Sequence, residues 1–192
     1  QELSITAWTT YIRKLRPVAS AWIRTAKRVG SGPSVYSPDG NHLSAYALAT
    51  AALSFAGMID KLTKGEKQVG VLIPPSGPGI IVNMACLIKG KTVYNLNYTN
   101  TPETMDYCCG VADVKTIITA RVFVDKLKQK GLPMEKLLDN YKVYYMEDLK
   151  GQLHKSTLIK NFLRVMLLPA WYLELRFFKK VSLDDVATII FS

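Results

Sequence analysis

Apolar residues do not recur at one period along this chain; the period changes, and each change marks an element. Over residues 3–29, Leu3, Ala7, Tyr11, Leu15, Ala19 and Trp22 fall at three- and four-residue steps with basic residues between them. That spacing predicts one helix or two, divided at Pro17 and stopped by "GSGP" at 30–33. "Val35-Tyr36-Ser37" has the makings of a short strand, and "Pro38-Asp39-Gly40-Asn41" of a turn. Ser44 is placed to cap a helix whose stripe is Leu48, Ala52, Phe55, Ile59 and Leu62. Its many alanines suit close packing on a sheet.

Beyond "KGEKQ" the pattern becomes a nearly continuous apolar run, "VGVLIPP", as in a strand buried on both faces. A helix through "IIVNMACLI" ends at Lys89-Gly90, and "TVYNLN" is the next strand. Thr101 is a good N-cap, Pro102 fits the first helical turn, and Glu103 favours the positive helix end. Strand 115–119, helix "RVFVDKLKQKG" and strand "KVYYM" follow, and "VATIIF" is the last strand. Strands alternating with helices predict an α/β fold: a mostly parallel sheet flanked by helices. The expected organisation is a basic helical lead-in over 1–32 and an α/β unit over 33–192. No internal repeat is present.

Segment 155–180, "KSTLIKNFLRVMLLPAWYLELRFFKK", departs from this alternation. Lys160, Arg164, Glu174 and Arg176, with Pro169, rule it out as a membrane-spanning helix. Two readings stand. One is an interfacial amphipathic helix pair, with Arg164 and Arg176 toward anionic headgroups and Trp171 and Tyr172 at the boundary. The other is a core-packing helical hairpin whose basic side chains reach water.

Composition sharpens this. The formal net charge is +10, which attracts acidic partners. It concentrates in 1–30 and 155–180. No zinc-finger or RNP-like pattern accompanies it, so nucleic acid is not the expected partner. Cys86, Cys108 and Cys109 form no CxxC pair, and His42 and His154 lie far apart, so buried thiols are expected and no metal site. The opening "QELSITAWTT" has neither an initiator Met nor a basic region before an apolar stretch, so it reads as an internal boundary rather than a secretory signal.

Ligands of such sheets bind at the carboxyl ends of the strands. Three stretches fall there. "PPSGPG", with Ser76, could cradle an anion at a helix N-terminus, or be a plain turn. Asn95, Asn97, Tyr98 and Thr99 could hydrogen-bond a ligand, or satisfy a tight loop. The third is the strand after Asp184-Asp185, whose acids suit a turn better than paired catalysis. No GxSxG, HExxH or Ser-His-Asp arrangement is present, and no catalytic residue is assigned.

"HLSAYALATAALSFAGMID" and "VGVLIPPSGPGIIVNMACLIKGKTVYNLNYTNTPETMDYCCGVADVKTIIT" resemble core segments of the adenylate-forming acyl synthetases. Lys89-Gly90-Lys91 stands where that family has Lys-Ala-Gly, and Asn95 where it has proline. "DDVATIIFS" is similar to the lead-in to the family's Ser/Thr/Gly-rich phosphate loop, with Ser192 at its first hydroxyl position. The resemblance covers about 33–145 and 182–192. The insert and "YSPDG" most resemble the synthetase half of bifunctional acylglycerophosphoethanolamine acyltransferase/acyl-carrier-protein synthetases.

The resemblance implies an ATP- and Mg2+-dependent ligase that adenylates a fatty acid and passes the acyl group to acyl carrier protein or CoA. It implies a role in fatty acid or phospholipid metabolism. It places the remaining phosphate loop, a metal-binding acid and a lid lysine beyond Ser192, so that these residues alone are not expected to catalyse. A cytoplasmic place is expected, with the inner face of the cell membrane as a docking surface. The alternative is a non-catalytic α/β module that docks on a membrane or a partner.

Overall fold

A computed structural model of the chain describes residues 5, 9–11, 15–36 and 42–191. Leu3 and Ala7 of the first stripe, the turn at 38–41 and Ser192 lie outside them. Helix α1 (Val18–Val29) starts directly after Pro17 and stops at Gly30, whose φ of 67° suits glycine. Lys27 and Arg28 complement its negative end. Strand β1 (Pro33–Tyr36) pairs antiparallel with β2 (His42–Ser44), a strand that the spacing of apolar residues does not predict.

Helix α2 (Ala45–Leu62) is capped as expected: the Ser44 hydroxyl accepts the Ala47 N–H at 3.1 Å. It carries two apolar stripes rather than the one expected. Leu48, Ala52, Phe55 and Ile59 face the sheet side, while Ala45, Ala49 and Leu53 pack against α1 and the 155–180 helices. The small alanines let α2 lie between two layers.

Strands β3 (Gln68–Leu72), β4 (Thr92–Asn95), β5 (Thr116–Thr119), β6 (Lys142–Tyr145) and β7 (Thr188–Ile189) form one sheet, in the order β6-β5-β3-β4-β7. All four pairings are parallel. Between them run α3 (Gly77–Ile88), α4 (Pro102–Val111), α5 (Arg121–Gln129), the short α6 (Glu135–Leu138) and α7 (Met146–Gly151), α8 (Lys155–Leu167) and α9 (Ala170–Phe177). Val69, Val71, Val93 and Ile118 bury against α2 and α3. Leu72, Tyr94 and Ile117, of opposite parity, bury against α4 and α5. Crossovers toward β7 thus use one face and those toward β6 the other, as uniform handedness requires. The switch in direction falls at β3.

The last strand joins the sheet beside β4, in the same direction. The Val93 N–H donates to Ala187 O at 2.9 Å, Thr92 Oγ1 to Val186 O at 2.7 Å, and Thr188 Oγ1 to Val93 O at 3.0 Å. The sequence pattern predicts a strand over 186–191, and the strand formed there is shorter. Among the described residues β7 is an edge, and Ile190 is 76% exposed.

Segment 155–180 breaks into α8 and α9 at Leu168-Pro169, because proline opens a helix more readily than it continues one. Their inner side is core. Val165 and Leu173 are fully buried. Asn161 Nδ2 donates to Ser54 Oγ at 2.9 Å. Arg24 grips Glu174 with two hydrogen bonds, at 2.7 and 2.9 Å. Lys27 Nζ donates to the carbonyls of Val165 and Met166, in the last turn of α8. The hairpin reading therefore describes the inner face.

Candidate functional site

All five parallel strands point their carboxyl ends at one edge, in the order β6, β5, β3, β4 and β7. The chain leaves β3 through Pro74-Pro75 and turns into α3 at Ser76. The Ser76 hydroxyl donates to Pro74 O at 2.8 Å and accepts the Gly79 N–H at 3.3 Å. Helix α3 thus begins three residues before the expected "IIVNMACLI", and Ser76 is its N-cap. No acidic side chain occupies its first turn, so the positive helix end is not internally neutralised. A Cβ at Gly79 would lie 2.8 Å from Pro74 O, so only glycine lets the turn close this tightly.

The loop after β4 is held from within. Asn97 Oδ1 accepts from the Thr99 N–H at 3.1 Å and from Thr99 Oγ1 at 2.7 Å. The Tyr98 ring meets Phe123 of α5 edge-on, with centroids 5.2 Å apart. Asn97 and Thr99 remain exposed at the edge. Asn95, which stands at the proline of the resemblance, exchanges two amide hydrogen bonds of 3.0 Å with Asn83 of α3. Asn83 also donates to Gly79 O at 2.9 Å. This pair bolts the β4 end to the Ser76–Gly79 turn. Asn83 drew no attention in the sequence, because i, i+4 to a glycine inside a helix carries no signal.

Farther along the edge, Arg121 makes a two-bonded pair with Asp148, at 2.8 and 2.7 Å, and lies 4.3 Å from the Tyr145 ring centroid. Its hydrogen bonds hold the Asp148 carboxyl below its usual range. All three residues escaped the sequence reading, since they sit on separate elements. Asp184 and Asp185 do form a turn, around Ser182: the Ser182 N–H donates to Asp185 Oδ2 at 2.7 Å.

The three thiols are buried. Burial pushes Cys86 and Cys109 from an ordinary 9.0 up to about 12, against an opposing field from Lys91 at Cys86. A raised folded pKa contributes stability below pH 9 that is lost as pH rises toward 12. Unfolding free energy is therefore expected to fall steeply above pH 9 in the parent and less in a Cys86→Ala/Cys109→Ala variant; equal slopes would show that the thiols do not titrate with folding.

Of the candidate membrane residues, Arg164 turns inward. Its Nη1 donates to Asn161 Oδ1 at 2.8 Å, and its guanidinium lies 5.0 Å from the Phe177 ring centroid. Trp171, 58% exposed, Tyr172 and Arg176 point outward.

A parallel sheet that reverses winding at β3, with loops and a helix N-terminus gathered at its carboxyl edge, defines a nucleotide-type α/β architecture. More specifically, the chain belongs to the AMP-binding enzyme family, whose model matches residues 23–192. Solved structures agree on the fold. A structure of VinN with 3-methylaspartate superposes with a TM-score of 0.64 at 14% identity, covering 91% of this chain and 43% of that one. Apo MatB from Rhodopseudomonas palustris gives 0.62 at 14%, covering 93% and 32%. A benzoate CoA ligase from Burkholderia xenovorans LB400 gives 0.57 at 16%, covering 72% and 29%. The chain thus spans less than half the length of these proteins.

Proposed function

We propose that these residues form the N-terminal part of an AMP-forming acid–thiol ligase acting on a fatty acid, with acyl carrier protein or CoA as the thiol. The observation that carries the reading is β7 lying beside β4, with its carboxyl end at the edge where the Ser76–Gly79 turn and the Asn97–Thr99 loop meet. A carboxylate is a poor electrophile. Its oxygen attacks the α-phosphorus of ATP and expels pyrophosphate; the thiol then attacks the acyl carbon and expels AMP. On this reading the α3 N-terminus and the loop after β4 supply one polar wall for the nucleotide, and Ser192 begins the phosphate loop. Mg2+ would supply charge neutralisation on the phosphates. Among the described residues no three His, Cys, Asp or Glu side chains gather to hold a metal, so no residue of this chain is assigned to it. The test is fatty-acid-dependent ATP–pyrophosphate exchange. The longer protein is expected to catalyse it and residues 1–192 alone are not. Absence of exchange by the longer protein with any carboxylic acid would overturn the ligase reading; robust exchange by the short chain would overturn its incapacity.

A second reading, compatible with the first, is favoured by the outer face of α8 and α9. No helix of the described residues is long and apolar enough to cross a membrane. Yet Ile159, Leu163, Met166 and Leu167 of α8, with Trp171 and Leu175 of α9, are exposed. Lys155, Lys160 and Arg176 flank them. Apolar residues bordered by cations suit the surface of an anionic bilayer at the inner face of the cell membrane. Co-sedimentation with phosphatidylglycerol vesicles should be strong at low salt, weak with phosphatidylcholine, and reduced by about tenfold or more, roughly 1.4 kcal/mol, in Leu167→Glu/Trp171→Glu. Binding that survives those changes would remove this surface from the proposal.

A further inference from the structure

A cavity lies at the opposite end of the sheet from the nucleotide edge. It has a volume of about 720 Å3, in the range of small-molecule sites, and opens between the start of α1, the end of α2 and the loop after it, the end of α3, and the strap 179–187. Gly90, with φ 64°, brings the strap close: a Cβ there would lie 2.9 Å from Val181 Cγ1. The Lys179 N–H fastens it to Ile88 O at 2.8 Å.

Seven cations line the cavity against three carboxylates, Asp60, Glu66 and Asp185. One of the seven, Lys91, is used internally: its buried Nζ donates to the carbonyls of Thr63 at 2.8 Å and Glu66 at 2.6 Å and lies 3.9 Å from Asp60. Asp185 is taken by the Ser182 N–H. Glu66 faces Lys142 through Oε1 at 3.4 Å, while its Oε2 has no partner.

The other six cations, Arg16, Lys61, Lys64, Lys67, Lys179 and Lys180, are exposed and make no side-chain ion pair or hydrogen bond among the described residues. Lys61 and Lys64 sit near the C-terminus of α2, where the helix dipole accounts for them. Arg16, Lys67, Lys179 and Lys180 come from three other stretches and have no such reason. The N-terminus of α1 opens into the same space through Pro17, Val18 and Ala19, with no side-chain cap and no acid in its first turn. The N–H groups of Ala19 and Ser20 find no acceptor among the described residues. Unpaired cations around a concavity focus their field into it, and an uncapped helix start adds donors aimed at an anion.

We infer that this cavity is a binding site for a small phosphate-bearing anion, distinct from the nucleotide edge. Guanidinium, ammonium and free N–H groups are the donors that phosphate oxygens take. A concavity with several convergent cations fits a compact polyanion better than a flat surface does.

The probe is inorganic tripolyphosphate, added to the 15N-labelled chain. Saturable shifts are expected at the Val18, Ala19 and Gly90 amides. Lys64→Glu/Lys180→Glu, two exposed positions, should weaken affinity by about tenfold or more, a loss of roughly 1.4 kcal/mol. Lys126→Glu/Lys130→Glu, in the last turn of α5 and at its C-cap, changes the net charge equally and should leave affinity nearly unchanged. Shifts confined to the Gly77 and Gly79 amides, no saturation at about 10 mM probe, or equal weakening by both variants would each overturn the inference. None of these outcomes bears on ATP–pyrophosphate exchange, so the two proposals fail separately.

Discussion

Leu173→Ala is expected to cost about 2–5 kcal/mol of unfolding free energy, the range for a fully buried leucine emptied to alanine. Leu173 is completely enclosed, in a cluster with Ile23, Ala26, Ala49 and Val165 that ties α9 and α8 to α1 and α2. Its neighbours are held by groups that cannot follow a collapsing side chain: the Arg24–Glu174 pair on one side and the Lys27 contacts with the end of α8 on the other. The cavity should therefore persist and the cost sit high in the range. Domains of this size have about 5–15 kcal/mol in total, so much of it is at stake. Leu175, two residues on and 77% exposed, is the control. Leu175→Ala should move stability by no more than about 0.5 kcal/mol. Urea denaturation of both variants decides the matter. Equal losses would mean that the outer face of α9 is packed, which would also remove the bilayer surface.

The second large effect is expected at the carboxyl edge of the sheet, the proposed nucleotide wall. Gly79→Ala puts a methyl carbon 2.8 Å from Pro74 O, and the atom it meets is backbone. A flexible side chain could step aside; this carbonyl is the acceptor of the Ser76 hydroxyl. The turn must shift, the Ser76 cap and the Asn83 contact to Gly79 O must shift with it, and the β4 end follows through Asn95. Overpacking of this kind costs about 1–3 kcal/mol in stability. In the longer protein, ATP–pyrophosphate exchange is expected to fall by about tenfold or more, since misplacing a binding group by an ångström has effects of that size. Gly57→Ala is the matched control. A Cβ there meets nothing within 4 Å, in the middle of α2. It should stabilise the fold by about 0.5–1 kcal/mol. Full exchange activity in Gly79→Ala would show that this turn does not shape the nucleotide site.

How much was legible depends on how local the cause is. The Ser44 and Thr101 caps were readable, because a cap is made by residues three apart. The strands at 68–72, 92–95 and 116–119 were readable too, since strands buried on both faces run nearly continuously apolar, and the half-buried edge strand at 142–145 was readable from its β-branched and aromatic residues. The hairpin partner His42–Ser44 was not: three residues carry too little period to stand out. Of the site, the stretches 74–79 and 95–99 were placed on the right edge, yet the use of their side chains was not visible. Ser76 caps α3, and Asn97 and Thr99 satisfy each other.

The order of apolar periods along the chain, read with its breakers and caps, was enough for the alternating α/β plan, because periods, caps and breakers act within a few residues, and strands separated by helices imply parallel neighbours with a common carboxyl edge. The pairing of Asn83 with Asn95, the inward turn of Arg164, the edge position of β7 and the cationic cavity at the far end all join residues from separate elements. Such contacts depend on how helices and strands stack once burial has fixed their facing sides, and no spacing along the chain encodes that.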